Sequence, residues 1–249
     1  QVRACGAVAR ELGIARDTPE DLAEKITEGL QCDVLLLSGG VSAGRLDLVP
    51  AQLQAAGVSE VFHKVQVKPG KPLCLAVLEG TPAAILPGFP TSAIFTFTRF
   101  VAPVLRALVG LPPEQRSRIP ATLPLQTNSD KGRTEFHLVH LLVHDQPPVG
   151  AGFKPVPGLT AYPTGKGSGS VTGFARADGF IEIPREVELV EAGSLVEVQL
   201  LGQTVQPPDL MVVGSHCVGL DYLLGVLREQ GFLSRSLAIG SMGGVLAAR

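Results

Sequence analysis

The sequence predicts a three-layer α/β domain, followed by a small all-β barrel-like domain and the start of a further α/β domain. Three observations carry this. Residues 1–112 alternate helix-spaced apolar residues with short strand-like apolar runs. Residues 113–205 change to short alternating segments between turns rich in Gly, Pro and Asp. Residues 206–249 return to a strand-like run and an amphipathic helix. Such switches of hydrophobic period separate layered α/β from all-β architecture.

In chain order, Val2, Cys5, Val8, Ala9 and Leu12 fall at helical spacing, with Gly13 as a stop. Residues 17–20 read as a helix start: an Asp or Thr cap, an early proline and acids in the first turn. The run 34–37 ends in Ser38-Gly39-Gly40 and reads as a buried parallel strand. A helix is expected over 47–56, strands over 61–67, 73–78 and 83–86, and a helix over 92–109 capped by Thr91 and kinked at Pro103. In the β-rich part, strands are expected over 121–125, 135–143, 171–174, 180–184 and 195–200. Residues 210–213 form a further strand, 221–230 a helix, and Ser241-Met242-Gly243-Gly244 opens another. The chain begins without Met inside a helix-like pattern and ends abruptly at Arg249, so it reads as a fragment with too little of its last module for a separate core.

A formal net charge of −2 implies no broad nucleic-acid-binding surface. No apolar run approaches the roughly 20 residues of a membrane helix. Cys5, Cys32, Cys74 and Cys217 have no CxxC or framework spacing and read as isolated thiols of a cytoplasmic protein.

The chemistry gathers in three stretches. After the strand at 34–37, the glycines of SGGVSAGRLD permit close approach of a ligand to the main chain, and the loop lies where open α/β sheets bind ligands. Asp47 closes this loop as a candidate cation ligand. Next, HKVQVKPGK sets Lys64 and Lys68 four apart, on one face if the segment is a strand, with Lys71 after the Pro-Gly turn. Clustered ammonium groups suit a phosphate or oxyanion; lysines guarding an edge strand are the competing reading. Finally, LPGFPTS joins a strand end, a rigid turn and a helix N-terminus, with Ser92 adding a hydroxyl. His137, His140 and His144 fall in a β-rich stretch, where His137 and His140 take opposite faces, which argues against a shared metal. The run 165–170, GKGSGS, lacks P-loop spacing. Arg176-Ala177-Asp178-Gly179 reads as a β-turn.

SGGVSAGRLD, HKVQVKPGKP and LPGFPTSA, in that order and spacing, resemble the MoeA/gephyrin E-domain family of molybdopterin molybdenumtransferases. GRTEF, GKGSGSVTGFARADGF and the EAG–VEV ending resemble that family's C-terminal domain, so the likeness covers residues 1–202. It implies a MogA-like fold for 1–112, a C-terminal β-barrel-like domain for 113–205, and the start of a fused periplasmic-binding-protein-like domain for 206–249. In that last module, Ser215-His216 and 241–244 resemble ligand-contacting places.

The activity implied is insertion of molybdate into adenylylated molybdopterin with release of AMP, using a divalent cation, Mg2+. Gly39, Gly40, Ser42 and Gly44 would surround the pterin phosphate. Asp47 would be the acid at the metal or molybdate. Lys64 and Lys68, with Lys71, would hold phosphate or oxyanion charge. Pro87, Gly88, Pro90 and Ser92 would shape the pocket wall. The partners implied are small-molecule substrates and a second copy in a homodimer, with no nucleic acid or membrane. Three departures stand out: Arg45 replaces an acid, Phe89 replaces the Asn of PGNP, and residues 12–17 leave little room for a strand the family carries there. Two other readings stay open: the preceding adenylyl transfer, which the β domain argues against, and a non-catalytic molybdate or pterin sensor or scaffold.

Overall fold

The computed structural model describes residues 1–40, 49–55, 57–114, 116–144, 158–164, 171–202 and 208–247. The chain forms two compact units that meet in sequence at the 114–116 linker.

The first unit opens with a single 3-10 turn, Arg3–Cys5, in place of the expected helix. The cause is Gly6: it takes a left-handed conformation (φ 82°), and a Cβ there would fall 2.8 Å from Leu111 Cδ1. Helical spacing cannot override a glycine committed to a turn. Helix α1, Pro19–Gly29, starts as the sequence dictates: Thr18 is the N-cap, and its hydroxyl accepts from the Asp21 N–H. Strand β1 (Leu35–Ser38), helix α2 (Val49–Ala55), and strands β2 (Ser59–His63), β3 (Val67–Lys68), β4 (Cys74–Leu78) and β5 (Thr81–Leu86) follow. The sheet order is β1-β5-β4-β2. β1 runs parallel to β5, and the other two pairings are antiparallel. β1 is therefore an edge strand, and of its residues only Leu35 is buried, so the expected burial is incomplete.

The single strand expected over 61–67 is two short strands. Between them Lys64 takes φ 69°, which no strand accommodates. One face of the sheet packs Leu35, Cys74, Ala76, Leu78, Ala83 and Ile85 against Leu22 and Ile26 of α1 and Val49 and Leu53 of α2. The other packs Leu73, Ala84 and Leu86 against Phe97, Val101, Ala102 and Leu105. Two helical layers thus sandwich one sheet. The second layer is one continuous helical run: α3 (Pro90–Thr96), a π turn (Phe97–Val101) and α4 (Ala102–Leu108). Phe89, rather than Thr91, is its N-cap. Pro103 has no N–H to donate, and the wider π turn before it absorbs the missing bond.

In the second unit, β6 (Arg118–Thr122), β7 (Thr127–Asn128), β8 (Thr134–His144), β9 (Gly158–Pro163), helix α5 (Val171–Arg176), β10 (Gly179–Ile183), β11 (Leu189–Val190) and β12 (Leu195–Leu200) build a barrel. Its five main strands run in the order β10-β12-β6-β9-β8, and β10 pairs with β8 to close the ring. Val139, Leu141, Ala161, Ile181 and Val198 fill the interior. Residues 171–174 lie in a helix, not the expected strand, because the closed ring offers them no unpaired edge. The rest of the unit is β13 (Leu210–Gly214), α6 (Val218–Glu229), β14 (Ser234–Ala238) and α7 (Gly240–Ala247), with β13 and β14 parallel. Among the described residues of this segment, Leu237 is the apolar residue in the buried core, while Val218, Tyr222 and Met242 are largely exposed. All four cysteines are free thiols.

Candidate functional site

Glycine contacts bring the three chemical stretches of the first unit together. The Gly39 N–H donates to the Leu86 carbonyl (2.9 Å), extending the β1–β5 pairing by one bond. Gly39 and Gly40 then take φ 93° and 71°. A Cβ on Gly88 would sit 3.5 Å from Gly39 Cα, so the loop after β5 lies against the loop after β1. Gly70 (φ 122°) closes the third side. A Cβ there would fall 2.4 Å from Thr96 Cγ2 and 3.8 Å from the Ser92 carbonyl. The 68–72 loop thus lies on α3, where Thr91, Ser92 and Thr96 are buried. Thr96 Oγ1 donates to the Ser92 carbonyl (2.8 Å).

The lysine loop is tied by its own main chain. Lys64 N donates to Leu73 O (3.0 Å), Val65 N to Lys71 O (3.0 Å) and Leu73 N to Gly70 O (3.1 Å). Lys64 is one of two non-glycine residues among those described with positive φ. That conformation costs a lysine about 1–2 kcal/mol, a local strain of the kind concentrated at functional positions. The predicted strand face shared by Lys64 and Lys68 does not exist. Lys64 projects from a turn and Lys68 from β3, with Lys64 and Lys71 exposed and Lys68 half-buried. Pro87 is buried, Gly88 and Pro90 are exposed, and Phe89 is 62% exposed. Ser42, Gly44, Arg45, Asp47 and the run 165–170 lie outside the described residues.

Beside the β1 loop is a cavity of about 450 Å³, walled by Gly39, Gly40, Ser38, Arg16, Asp17 and Lys25 among others. The chain at 12–17 forms one side of it. Gly39 and Gly40 line this cavity and Gly39 also borders the loop after β5, whereas Lys64, Lys68 and Lys71 do not line the cavity. Among the described residues, no group of three or more His, Cys, Asp and Glu could hold a metal ion. No described helix is long and apolar enough to cross a membrane.

The β domain settles the histidines. His137 faces the barrel interior beside Glu135 (Nε2 to Oε2, 2.6 Å), both buried, while the Asp130 N–H donates to the other Glu135 oxygen (3.0 Å). His140 takes the opposite face. Its Nδ1 meets Arg235 Nη1 at 2.9 Å, and burial, reinforced by the Arg235 charge, lowers its pKa to about 4. Asp178 accepts from the Leu141 N–H (2.8 Å) and from Arg235. Sequence reasoning read Asp178 only as a turn residue. The one signal available was an acid between two strands, and its cationic partner lies 57 residues away.

Residues 1–107 match the family model described as "Probable molybdopterin binding domain", and residues 120–201 match the "MoeA C-terminal region (domain IV)". The two models in this order, over this fold, decide the relationship. Residues 1–201 are similar to the MoeA family. A molybdopterin molybdenumtransferase of Nostoc sp. is 40% identical over 44% of this chain and 26% of its own length. Molybdopterin molybdenumtransferase 2 of Mycobacterium tuberculosis is 31% identical over 68% of this chain and 40% of its own length. The crystal structure titled as a molybdopterin biosynthesis MoeA protein from Pyrococcus horikosii superposes with a TM-score of 0.63 at 32% identity, covering 81% of this chain and 46% of that one. The chain thus spans less than half the length of these MoeA-family relatives.

Proposed function

We propose that this chain carries the substrate loops of a molybdenum cofactor biosynthesis enzyme that inserts molybdate into adenylylated molybdopterin and releases AMP. The observation supporting it is the packing of the three loops: Gly88 lies against Gly39, and Gly70, in the loop that carries Lys68 and Lys71, lies on α3 beside Thr96 and the Ser92 carbonyl. Gly39, Gly40, Ser42 and Gly44 surround the pterin phosphate in this reading, and Pro87, Gly88, Pro90 and Ser92 form the wall. When the phosphoanhydride breaks, negative charge grows on the departing AMP phosphate. Preplaced cations and N–H groups stabilise that charge best, because they need no reorganisation at the moment of reaction. Lys64 and Lys68 take this role, and Lys71 adds to the local field. A loop pinned by main-chain bonds on both sides of Lys64 suits it for holding a cation in place.

Magnesium would supply further charge neutralisation of the phosphates when bound. Its expected ligand, Asp47, is outside the described residues, and the steps above use only the chain's own groups. A homodimer in the cytoplasm completes this reading.

The test is AMP release by the full-length gene product given adenylylated molybdopterin, magnesium and molybdate. Molybdate-dependent release that vanishes in Asp47→Ala and falls by about a hundredfold in Lys64→Ala is expected. Tight pterin binding without AMP release overturns the transferase reading and leaves a sensor or scaffold, which the exposed Phe89 would suit. Formation of adenylylated molybdopterin from ATP would instead identify the adenylyl-transfer step.

A further inference from the structure

We propose that the second unit binds a small polyanion, of phosphate or carboxylate chemistry, in the cavity between the barrel and the β13–α6–β14 segment. The cavity measures about 710 Å³, within the roughly 300–1,000 Å³ typical of small-ligand sites. Its lining residues belong to the second unit, whereas the glycine and lysine loops belong to the first.

Three guanidinium side chains from three different elements line it: Arg176 from α5, Arg228 from α6 and Arg235 from β14. Like charges do not gather on separate elements without cost, and a shared anion offsets that cost. Arginine is also the side chain best shaped to grip phosphate or carboxylate oxygens in pairs.

The site is built rather than incidental. Arg235 is only 16% exposed at its side chain, and two acceptors meet its Nη1: the Asp178 carboxylate and His140 Nδ1. Asp178, 7% exposed, is itself anchored by the Leu141 N–H. Because His140 is held neutral, it orients the guanidinium as an acceptor and adds no competing positive charge.

The remaining wall is unbalanced. Asp221 faces His216 (Nε2 to Oδ2, 2.8 Å). Among the described residues no carboxylate pairs with Arg176 or Arg228. Three arginines stand against Asp178 and Asp221, a surplus of one positive charge. Ser234 and Ser236 add hydroxyls to the wall for a ligand's outer oxygens.

Calorimetric titration of the full chain with pyrophosphate, and separately with citrate, at constant ionic strength tests the proposal. Saturable one-to-one binding of at least one of them is expected, and the tighter of the two identifies phosphate or carboxylate chemistry. Arg228→Gln, on an exposed helix position, should weaken that binding about tenfold, as loss of one charge-assisted contact does. Arg235→Gln should weaken it at least as much. Absence of binding by both probes overturns the proposal. So does binding that survives Arg228→Gln, including binding that falls only in Lys64→Ala, which would assign the anion to the loops of the first unit.

Discussion

Lys64 and Lys71 stand exposed on a loop tied by its own main-chain bonds. Glu135 and His137 are shut inside a barrel, 2% and 4% exposed at the side chain, and they bond to each other while Glu135 also accepts from the Asp130 N–H. The two arrangements solve opposite problems. On the proposed reading, a cation that is to meet a phosphate stays hydrated until the phosphate arrives, with the backbone fixed and the head group in water. A buried carboxylate and imidazole have no water to fall back on, so each is committed permanently to the other. Charge in the first unit is therefore expected to matter for turnover, and charge in the barrel for stability.

The largest effect should come from breaking the committed pair. Glu135→Ala leaves His137 and the Asp130 N–H without their buried acceptor, and should cost about 3–5 kcal/mol in urea unfolding; a cost near zero would show that the barrel interior does not depend on the pair. In the first unit, the comparable blow falls on the backbone. Gly70→Ala meets both a positive φ and the Thr96 methyl, and should cost about 3 kcal/mol. Gly39→Ala has a positive φ but open space around its Cβ, and should cost about 1–2 kcal/mol. Equal losses at the two glycines would mean that the packing of the 68–72 loop on α3 contributes little.

His140 offers a pH test of the same contrast. Its folded pKa, about 4, lies below the ordinary 6.5, so the folded protein resists the proton that the unfolded chain accepts. Its contribution is fully present above pH 6.5 and is lost progressively as the pH falls towards 4, by up to about 3 kcal/mol. The stability of His140→Gln should lose less over that window in equilibrium unfolding; parallel curves would remove His140 from the account. The smallest stability effect should come from Lys64→Gly. Glycine accepts φ 69° without strain but adds chain entropy, so stability should stay within about 1 kcal/mol. Turnover should fall about a hundredfold in that same variant if the lysine meets phosphate charge. A stable and fully active Lys64→Gly would end the case for that residue.

Much of the first unit could be read from the sequence because its signals are local. The Thr18-Pro19 helix start, the Ser38-Gly39-Gly40 strand end and the Pro87–Pro90 turn each declare themselves within a few residues. The reading failed where one residue outweighed a pattern. Gly6 ended a helix that five apolar residues predicted, and Lys64 broke a strand that its neighbours favoured. The barrel's closure and the Asp178–Arg235 pair were invisible for a different reason: they join residues far apart in the chain, and no local chemistry announces them. The packing of Gly88 on Gly39 and of Gly70 on α3 lay between these cases, since each loop could be seen in sequence but only the contacts show what it packs against.

The π turn at Phe97–Val101 works as an indexing step. One extra residue in a turn advances the helix face by roughly 100°. Phe97, Val101, Ala102 and Leu105 pack on the sheet from within and beyond this turn, while the Thr96 methyl and the Ser92 carbonyl before it lie at Gly70. Removing a single residue from 97–101 would leave each half of the helix intact and turn the Gly70 contacts out of line with the core, as a gear slips by one tooth.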